Sequence, residues 1–442
     1  MRLTEVTQMT LPTGRLWSHA LVAGAPGERL PVSFDQRKHV SSGDRAGSWM
    51  AISWRLDDPV AHDRLADAWV RVVARHGTLN SVFSPTDVPQ GTPVLREVVV
   101  GPGEWHEHPV AADADVRLVL RDLLDEACVS YAAPSYRLCL VEPDAPEDGR
   151  PVVVIASDHA HVDMWSLLVL ARDLLVMLDD LDAGRDPGAD LPVAPAFSRH
   201  TAELRARPPV PARIRHRWDA ILRASGGVMP RFPLPLGDVS EPRPQVVEVR
   251  DVLDAEELVG LVDQASLRRV RVLPLVVSVL TTLSLELAGE PLRAVFPVHS
   301  RHGEGYTDAC GWFITNAVLE CEDPDPTVCT ARVKEAVALG SWPLADVLAP
   351  YGGMPEAPGM FAVSWLDLDR LPVGLDPRHS GQFVSADIRT DGVMIWFVRD
   401  ARGVHLRCRY PDTPEARVSV STWLDAVCDR LGALARTPAP LG

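Results

Sequence analysis

A buried strand that leads through a polar turn into a long helix is the feature that most constrains the fold of this chain. Residues 151–157 read PVVVIAS, a continuous β-branched run typical of a strand covered on both faces. Residues 165–181, WSLLVLARDLLVMLDDL, contain neither glycine nor proline and are predicted to form a helix. The residues between them, DHAHVDM, must then form a tight turn, and such turns commonly present functional side chains.

Strands and helices alternate through the rest of the chain. SWMAISWRL (residues 48–56) puts Met50, Ile52 and Trp54 on one face, as a strand does, and apolar residues between 62 and 75 recur at helical spacing. Residues 392–398 and 403–410 are predicted to pair as a hairpin, which a terminal amphipathic helix follows. The pattern predicts an α/β fold of the α+β type, with mixed sheets.

The length of the chain predicts two lobes. A chain of 442 residues exceeds what one hydrophobic core usually serves. The stretch DDLDAGRDPGADLPVAPA (residues 179–196) is acidic and rich in proline and glycine, which indicates an exposed connection. We therefore predict an N-terminal lobe over 1–184, which carries the polar turn, and a C-terminal lobe over 185–442.

Charge, hydropathy and cysteine usage exclude several classes of protein. A net charge of −16 argues against nucleic acid and anionic membranes as general partners. The longest apolar run, residues 272–289, is interrupted by Pro274, Ser278 and Glu286, which favours a buried helix over a membrane span. No signal peptide is readable, and the seven scattered cysteines contain no CxxC pair. These features predict a cytoplasmic location.

The turn itself allows two interpretations. As HAHVDM it resembles the zinc-binding loop of metallo-β-lactamase-type hydrolases, but Met164 stands where the last histidine ligand is expected, and no later histidine lies at a convincing strand end. In the second interpretation His159 is a general base and Asp163 supports the loop. We favour the second, predict no resident metal, and keep a zinc-dependent hydrolase as the less favoured alternative.

Further segments carry a family resemblance in chain order. Residues 158–164 are similar to HHxxxDG, with Asp158 and Met164 in place of the first histidine and the glycine. The other matches are LPVSFDQRKHV with Ser33, Gln36 and Arg37; RHGTLNSVF with Asn80 where arginine is usual; and the later Gly311, Phe313 and Asn316. The chain thus resembles the condensation domains of nonribosomal peptide synthesis and the polyketide-associated acyltransferases, which share the fold of chloramphenicol acetyltransferase.

The resemblance implies two such lobes in a V with the active site at their junction. It implies that His159 is the catalytic histidine, and that Asp163 and Arg301 are a structural pair which supports the motif. The acyl group would arrive as a phosphopantetheine thioester on a carrier protein or on CoA, with no bound cofactor. A small-molecule hydroxyl or amine would accept it, forming an ester or amide in a specialised metabolite or lipid.

The departures from the motif keep alternatives open. Met164 and Asp158, together with Trp312 and Ser364, are candidates for the tunnel or the oxyanion side of the site. The same departures are compatible with a non-catalytic condensation fold that binds a carrier protein or recruits another enzyme, and epimerisation of a carrier-bound group shares the motif. The segment Arg199–Arg217 holds six arginines against one glutamate, which makes it a weak docking candidate for an acidic carrier protein.

Overall fold

The computed structural model describes residues 1–86, 91–111, 113–145, 149–301 and 305–438. The chain divides into two compact units. The first unit comprises Met1–Arg207, Arg301–Phe313 and Leu371–Asp387, and the second comprises Pro208–Ser300, Ile314–Arg370 and Ile388–Gly442. The fold is mixed α/β, as the sequence predicts.

Two sheets and several helices make up the first unit. Its strands are β1 (Arg2–Glu5), β2 (Gly14–Ala23), β3 (Arg29–Leu30), β4 (Trp49–Arg55), β5 (Ser81–Ser84), β6 (Val94–Glu97), β7 (Val100–His108), β8 (Tyr136–Pro143), β9 (Val152–Asp158) and β14 (Gln382–Ser385). Its helices are α1 (Phe34–Val40), α2 (His62–Arg75), α3 (Val116–Ala127), α4 (Met164–Asp182) and α5 (Phe197–Arg205), with 3-10 turns at Val6–Gln8, His159–His161 and Pro377–His379.

Strand β9 lies at the centre of the larger sheet. Among the described residues the strand order is β1-β14-β4-β9-β8-β2-β7, and β3, β6 and β5 form a smaller sheet. Strand β9 pairs antiparallel with both β4 and β8, and all of its residues are buried. Because β9 has a partner on each edge and is covered on both faces, its end is a rigid platform for the turn that follows. The predicted strand, turn and helix are confirmed.

The second unit has one large sheet. Its strands are β10 (Arg243–Asp254), β11 (Leu292–His299), β12 (Ile314–Cys321), β13 (Phe361–Asp367), β15 (Arg389–Thr390), β16 (Val393–Asp400) and β17 (Gly403–Pro411), in the order β12-β11-β13-β16-β17-β10-β15 within the described part of the chain. Its helices are α6 (Ala212–Ala224), α7 (Ala255–Leu267), α8 (Val272–Ala288), α9 (Pro326–Gly340), α10 (Leu344–Leu348) and α11 (Pro414–Ala435), with 3-10 turns at Ala349–Tyr351 and Leu368–Arg370. The predicted hairpin is β16 with β17, paired antiparallel.

The division into units differs from the predicted boundary near residue 184. The first unit continues through α5 to Arg207, because Phe197 of α5 packs against Tyr306 and Phe313. It also takes up residues 371–387, because β14 pairs parallel with β1 and antiparallel with β4. Sequence composition reveals flexible connections, but it carries no signal for a late segment that returns to an early sheet.

The apolar run at 272–289 forms α8, whose residues are mostly buried. No single helix in the described ranges is long and apolar enough to cross a membrane, although α7 and α8 pass that test of length and composition together, as a pair bent by 90°.

Candidate active site

Two aspartates hold the turn between β9 and α4. Asp158 ends the strand, and its Oδ1 accepts the backbone N–H of Ala160 at 2.9 Å. Asp163 is the N-cap of α4, and its Oδ1 accepts the backbone N–H of Ser166 at 2.7 Å. Because a short side-chain acceptor satisfies backbone donors at each end, the three residues His159–His161 are fixed in a 3-10 turn. His159 is therefore presented by backbone that cannot easily rearrange.

The structure brings Asp163 and Arg301 together as a buried ion pair. Arg301 Nη2 lies 3.0 Å from Asp163 Oδ1 and 3.3 Å from Oδ2, and both side chains are 2% exposed. Asp163 Oδ2 also accepts the backbone N–H of Phe313 at 3.0 Å. A charge this deeply buried needs such partners, because its desolvation is otherwise costly.

Arg301 also organises residues 305–313. Its Nη1 donates to the carbonyl oxygens of Tyr306, at 2.7 Å, and Ala309, at 2.6 Å. Its guanidinium carbon lies 4.0 Å from the ring centroid of Phe313 and 4.8 Å from that of Trp165. One arginine therefore ties this segment to the start of α4, through an ion pair, hydrogen bonds and cation–π contacts.

The hydroxyl of Ser166 is a second link between α4 and this segment. Its oxygen lies 2.8 Å from Asp163 Oδ1 and 2.9 Å from the carbonyl oxygen of Gly311, and it accepts the backbone N–H of Gly311 at 3.0 Å. Gly311 itself is required by close packing, since a Cβ there would lie 2.4 Å from the ring of Phe197. This explains in physical terms why glycine precedes Trp312.

Trp312 covers one face of His159. The two ring centroids are 4.0 Å apart with planes inclined by 30°, and both residues are half-buried. Trp312 also meets His39 edge to face, at a centroid distance of 5.4 Å. The interactions of Arg301 and Ser166 described above fix the residues on both sides of Trp312, so they set the position of its indole against the imidazole.

Asp158 belongs to a buried network behind the turn. Its Oδ2 accepts hydrogen bonds from His39 Nε2 at 3.1 Å, from the Ser48 hydroxyl at 2.7 Å and from the Ser130 hydroxyl at 3.3 Å. Burial acts to raise the pKa of Asp158, but the hydrogen bonds of His39 and Ser48 outweigh it and lower the pKa. Asp158 is therefore a charged, fully satisfied anchor of the turn.

Arg45 fixes the orientation of His39. Arg45 Nη2 lies 3.0 Å from His39 Nδ1, and a guanidinium can only donate, so Nδ1 is an acceptor and Nε2–H donates to Asp158. Sequence reasoning missed both His39 and Arg45. The available signal was the position of His39 in SFDQRKHV, one helical turn after Gln36, on the helix whose N-terminus carries the Ser33 motif.

Burial keeps the two turn histidines neutral. It lowers the pKa of His159 to about 4, and the nearby His39 acts in the same direction. Burial also lowers the pKa of His161. A neutral imidazole is the form that can accept a proton, so His159 has the charge state of a base at neutral pH.

His161 has a different environment from His159. Its Nδ1 lies 3.0 Å from the carbonyl oxygen of Thr78, and its ring packs against Phe83 at a centroid distance of 5.5 Å. The carboxylate of Asp163, the third donor of the HAHVDM pattern, is occupied by Arg301, Ser166 and Phe313. Within the residues that the structure describes, no group of three or more histidine, cysteine or carboxylate side chains is placed to hold a metal ion.

Known proteins resemble the chain in sequence and in fold. It is 30% identical over 319 residues (69% of the chain) to CymA of Salinispora arenicola (strain CNS-205), a probable nonribosomal peptide synthetase of which the match covers 4%. It is 23% identical over 431 residues to the trehalose-2-sulfate acyltransferase PapA2 of Mycobacterium tuberculosis (strain ATCC 25618 / H37Rv), covering 91% of the chain and 89% of PapA2. No family model matches the sequence.

Solved structures share the fold. A PapA2 acyl transferase structure superposes with a TM-score of 0.83 at 20% identity, over 99% of this chain and 100% of that one. The first condensation domain of the calcium-dependent antibiotic synthetase gives 0.71 at 15% identity, over 94% and 98%. The chain shares the fold of the condensation-type acyltransferases and is similar to them in sequence. The resemblance found in the sequence motifs is confirmed.

The family's opening motif supports the turn from α1. Ser33 is the N-cap of α1 and forms a capping box with Gln36, whose Nε2 donates to the carbonyl oxygen of Ala160 at 2.9 Å. Arg37, which the sequence grouped with them, is exposed. The motif therefore fixes the backbone beside His159, and Arg37 has no part in that support.

The second family segment holds α2 against α4. Arg75 Nε and His76 Nε2 both lie within hydrogen-bond distance of Asp173 Oδ2, at 2.8 and 2.9 Å. Asn80, at the position usually taken by arginine, donates from Nδ2 to the carbonyl oxygens of Val73 and His76 at the end of α2. The asparagine at this position therefore caps the C-terminal end of α2.

Met164 and Ser364 are two further predicted site residues, and they lie in different units. Met164 is the first residue of α4 and is half-buried. Ser364 lies on β13 in the second unit and is half-buried. The structure brings His159, Asp163, Arg301, Trp312 and Asp158 together within the first unit, and Ser364 belongs to the other unit.

Replacing His39 by phenylalanine tests the network behind the turn. The substitution keeps a ring but removes the donor to Asp158, so we expect a loss of about 1–3 kcal/mol in the free energy of unfolding at pH 7. The folded-state pKa of Asp158 is depressed, so its contribution to stability is present above the unfolded pKa and disappears as pH falls through the folded value. Urea unfolding should therefore show a smaller loss at acidic pH. His39→Gln, which retains a donor, is the control, and an equal loss at both pH values would contradict the assignment.

Proposed function

We propose that this chain transfers an acyl group from a thioester to a hydroxyl or amine, with His159 as the general base. The observation that carries the proposal is the fixed, partly accessible and neutral imidazole of His159 at the end of a buried strand, where the family motif has its histidine. His159 Nδ1 is buried. We therefore assign Nε2 as the nitrogen that meets the acceptor.

The reaction needs one proton acceptor and a good leaving group. As the acceptor oxygen or nitrogen attacks the thioester carbonyl carbon, its proton passes to His159 Nε2. The tetrahedral intermediate then expels the thiolate, breaking the carbon–sulfur bond, and the imidazolium returns the proton to sulfur. A thiol has a pKa of about 8.5, so its departure needs no strong acid. Binding both substrates side by side supplies the rest of the rate enhancement.

The supporting residues act through His159 and do not react. Asp163, Arg301 and Ser166 fix the start of α4 and the segment that carries Trp312, whereas Asp158 fixes the turn from behind. Removing any of them should disturb the position of the imidazole. Met164 and Ser364 remain proposals for the tunnel and the oxyanion side, respectively.

The relatives support a carrier-linked or CoA-linked donor and a small-molecule acceptor. CymA is named as a probable non-canonical nonribosomal peptide synthetase, and PapA2 is named as a trehalose-2-sulfate acyltransferase. Because the match with PapA2 spans nearly the whole of both proteins, we favour a hydroxyl acceptor and an ester product. Phosphopantetheine would enter as part of the substrate, so no resident cofactor is proposed.

The basic segment Arg199–Arg217 is a docking candidate for that carrier protein, but some of its arginines already pair with carboxylates of this chain. Arg199 pairs with Glu203 at 2.9 Å, and Arg217 pairs with Glu320 and Glu335 at 2.8 and 2.9 Å. Arg213 and Arg215, on α6, are exposed and stay available for an acidic partner. We also propose a cytoplasmic location, which the seven free cysteines support.

The experiment that tests the proposal offers the purified chain a panel of acyl-CoA and acyl-carrier thioesters with mixed alcohols and amines. We expect a product whose mass equals acyl group plus acceptor, formed together with free thiol. Hydrolysis that does not require the acceptor and is abolished by a zinc chelator would instead support a zinc-dependent hydrolase. Tight carrier binding without any turnover would support the non-catalytic module.

The charge state of His159 predicts the pH profile. Because the base must be neutral and its pKa is lowered to about 4, we expect kcat/KM to be flat from about pH 5.5 to 8 and to fall as pH drops through that pKa. Initial rates in constant-ionic-strength buffers measure this, with circular dichroism as the control for acid unfolding. A profile that falls below pH 7 with an ordinary histidine pKa would contradict a half-buried imidazole whose pKa is lowered.

A further inference from the structure

The role of His159 as a base raises the question of what stabilises its cation. On taking the proton of the acceptor, the ring becomes an imidazolium in a site where burial disfavours charge. In many enzymes a carboxylate hydrogen-bonded to the second ring nitrogen meets this need. Here His159 Nδ1 is buried, and no carboxylate is hydrogen-bonded to it within the described part of the chain; the neutral backbone of His159 itself is the hydrogen-bonding group that favours the charged ring.

The two carboxylates near His159 are hydrogen-bonded to other residues. Asp163 is bound to Arg301, Ser166 and Phe313, and the oxygens of Asp158 accept hydrogen bonds from Ala160, Ser48 and His39. His39 is the third titratable neighbour, and its influence lowers the pKa of His159 and so disfavours the cation. Both aspartates favour the imidazolium through space, but neither is hydrogen-bonded to it among the residues that the structure describes.

Among the described residues, the aromatic ring packed most closely against His159 is the indole of Trp312. At a centroid distance of 4.0 Å and an inclination of 30°, the imidazole lies over the indole face. That face carries the negative part of the ring quadrupole, and tryptophan is the strongest of the aromatic cation acceptors within about 6 Å. The neighbouring Arg301 uses Trp165 and Phe313 in the same manner, at 4.8 and 4.0 Å.

We propose that Trp312 is a catalytic support residue, whose indole face stabilises the imidazolium that His159 becomes during acyl transfer. The inference rests on the proposed role of His159 as the base. It adds the residue that lowers the free-energy cost of a positive charge on the imidazole ring. The contact is present before reaction and needs no rearrangement when the charge forms, which is the condition for effective electrostatic stabilisation.

Fluorination of the indole tests the proposal without changing its shape. Monofluoro-, difluoro- and tetrafluorotryptophan, introduced by nonsense suppression at position 312 alone, weaken the negative face stepwise. We expect the single-turnover rate of acyl transfer to fall stepwise, by roughly 3–10-fold for the tetrafluoro form, and the pKa of His159 to fall by about 0.5–1 unit. The pKa is read from labelled histidine resonances, assigned by the signal missing in His159→Gln.

Trp105 provides the matched control. Its ring also packs beside a histidine, His62, at 4.8 Å with planes inclined by 32°, but on β7 and far along the sheet from β9. The same analogues at Trp105 should leave the rate and the pKa of His159 unchanged. Trp312→Phe, which keeps a weaker aromatic face, should lie between the wild type and the tetrafluoro form.

The outcomes separate this inference from the proposed function. Acyl transfer that requires His159 but has the same rate across the fluorinated series would overturn the role of Trp312. The assignment of His159 as the base would then still stand. A wild type without transfer activity would overturn the proposed function, and the pKa series would still report whether Trp312 stabilises the cation. An unchanged or rising pKa on fluorination contradicts the contact as we interpret it.

Discussion

Replacing His159 by alanine should lower the rate of acyl transfer by about 10²–10⁴-fold, the usual contribution of a well-placed general base. The acceptor would then have to lose its proton to water. Because the ring does not carry the acyl group, we expect the loss in kcat with little change in KM. Stopped-flow or quenched single-turnover assays with a saturating acceptor measure the effect.

His161→Ala is the comparison that gives this result its meaning. His161 is on the same turn, but its ring is buried against Phe83 and its Nδ1 contacts the carbonyl oxygen of Thr78. We expect a loss of stability from the cavity and from the unpaired carbonyl, with much less effect on the rate of the folded fraction. Equal losses of rate in the two variants would contradict the assignment of His159 as the base.

Replacing Arg301 by methionine should have the largest effect on stability. The substitution leaves the carboxylate of Asp163 buried with its charged partner gone, and breaking such a pair typically costs about 3–5 kcal/mol. It also frees the carbonyl oxygens of Tyr306 and Ala309, so residues 305–313 lose their anchor. We therefore expect transfer activity to fall as well, because Trp312 is carried by this segment.

The matching control uses an exposed ion pair of the same unit. Arg71 and Asp67 lie 3.1 Å apart on α2 with both side chains 45% exposed. Arg71→Met should change the free energy of unfolding by less than about 0.5 kcal/mol, because solvent screens such pairs. Removing both charges, in Asp163→Asn with Arg301→Met, should recover part of the stability. A double variant as unstable as the sum of the single variants would show that the two residues do not act as a pair.

The strand, turn and helix that carry the site could be predicted from local pattern. The β-branched run of β9 and the uninterrupted apolar face of α4 each depend on side chains adjacent in sequence. The proximity of Asp163 and Arg301 could not be derived in this way, since 138 positions separate them, and it was predicted only through the family resemblance.

The network behind the turn shows what local pattern cannot supply. His39 is one histidine in a short helix, and nothing near it in sequence indicates that it meets Asp158 across 119 positions. The stacking of Trp312 on His159 likewise depends on how residues 305–313 fold back on α4, which Arg301 and Ser166 determine. Composition likewise carries no signal that α5 and β14 belong to the first compact unit, because they join it by long-range packing.

The most direct measurement of the central claim compares thiol release by the wild type and His159→Ala, with and without acceptor, from one acyl thioester on which the wild type turns over. We predict release that requires the acceptor, matches the ester or amide formed mole for mole, and falls by at least about a hundredfold in His159→Ala. Release that persists in the variant, or that proceeds without acceptor in the wild type, would contradict a histidine-dependent acyl transfer.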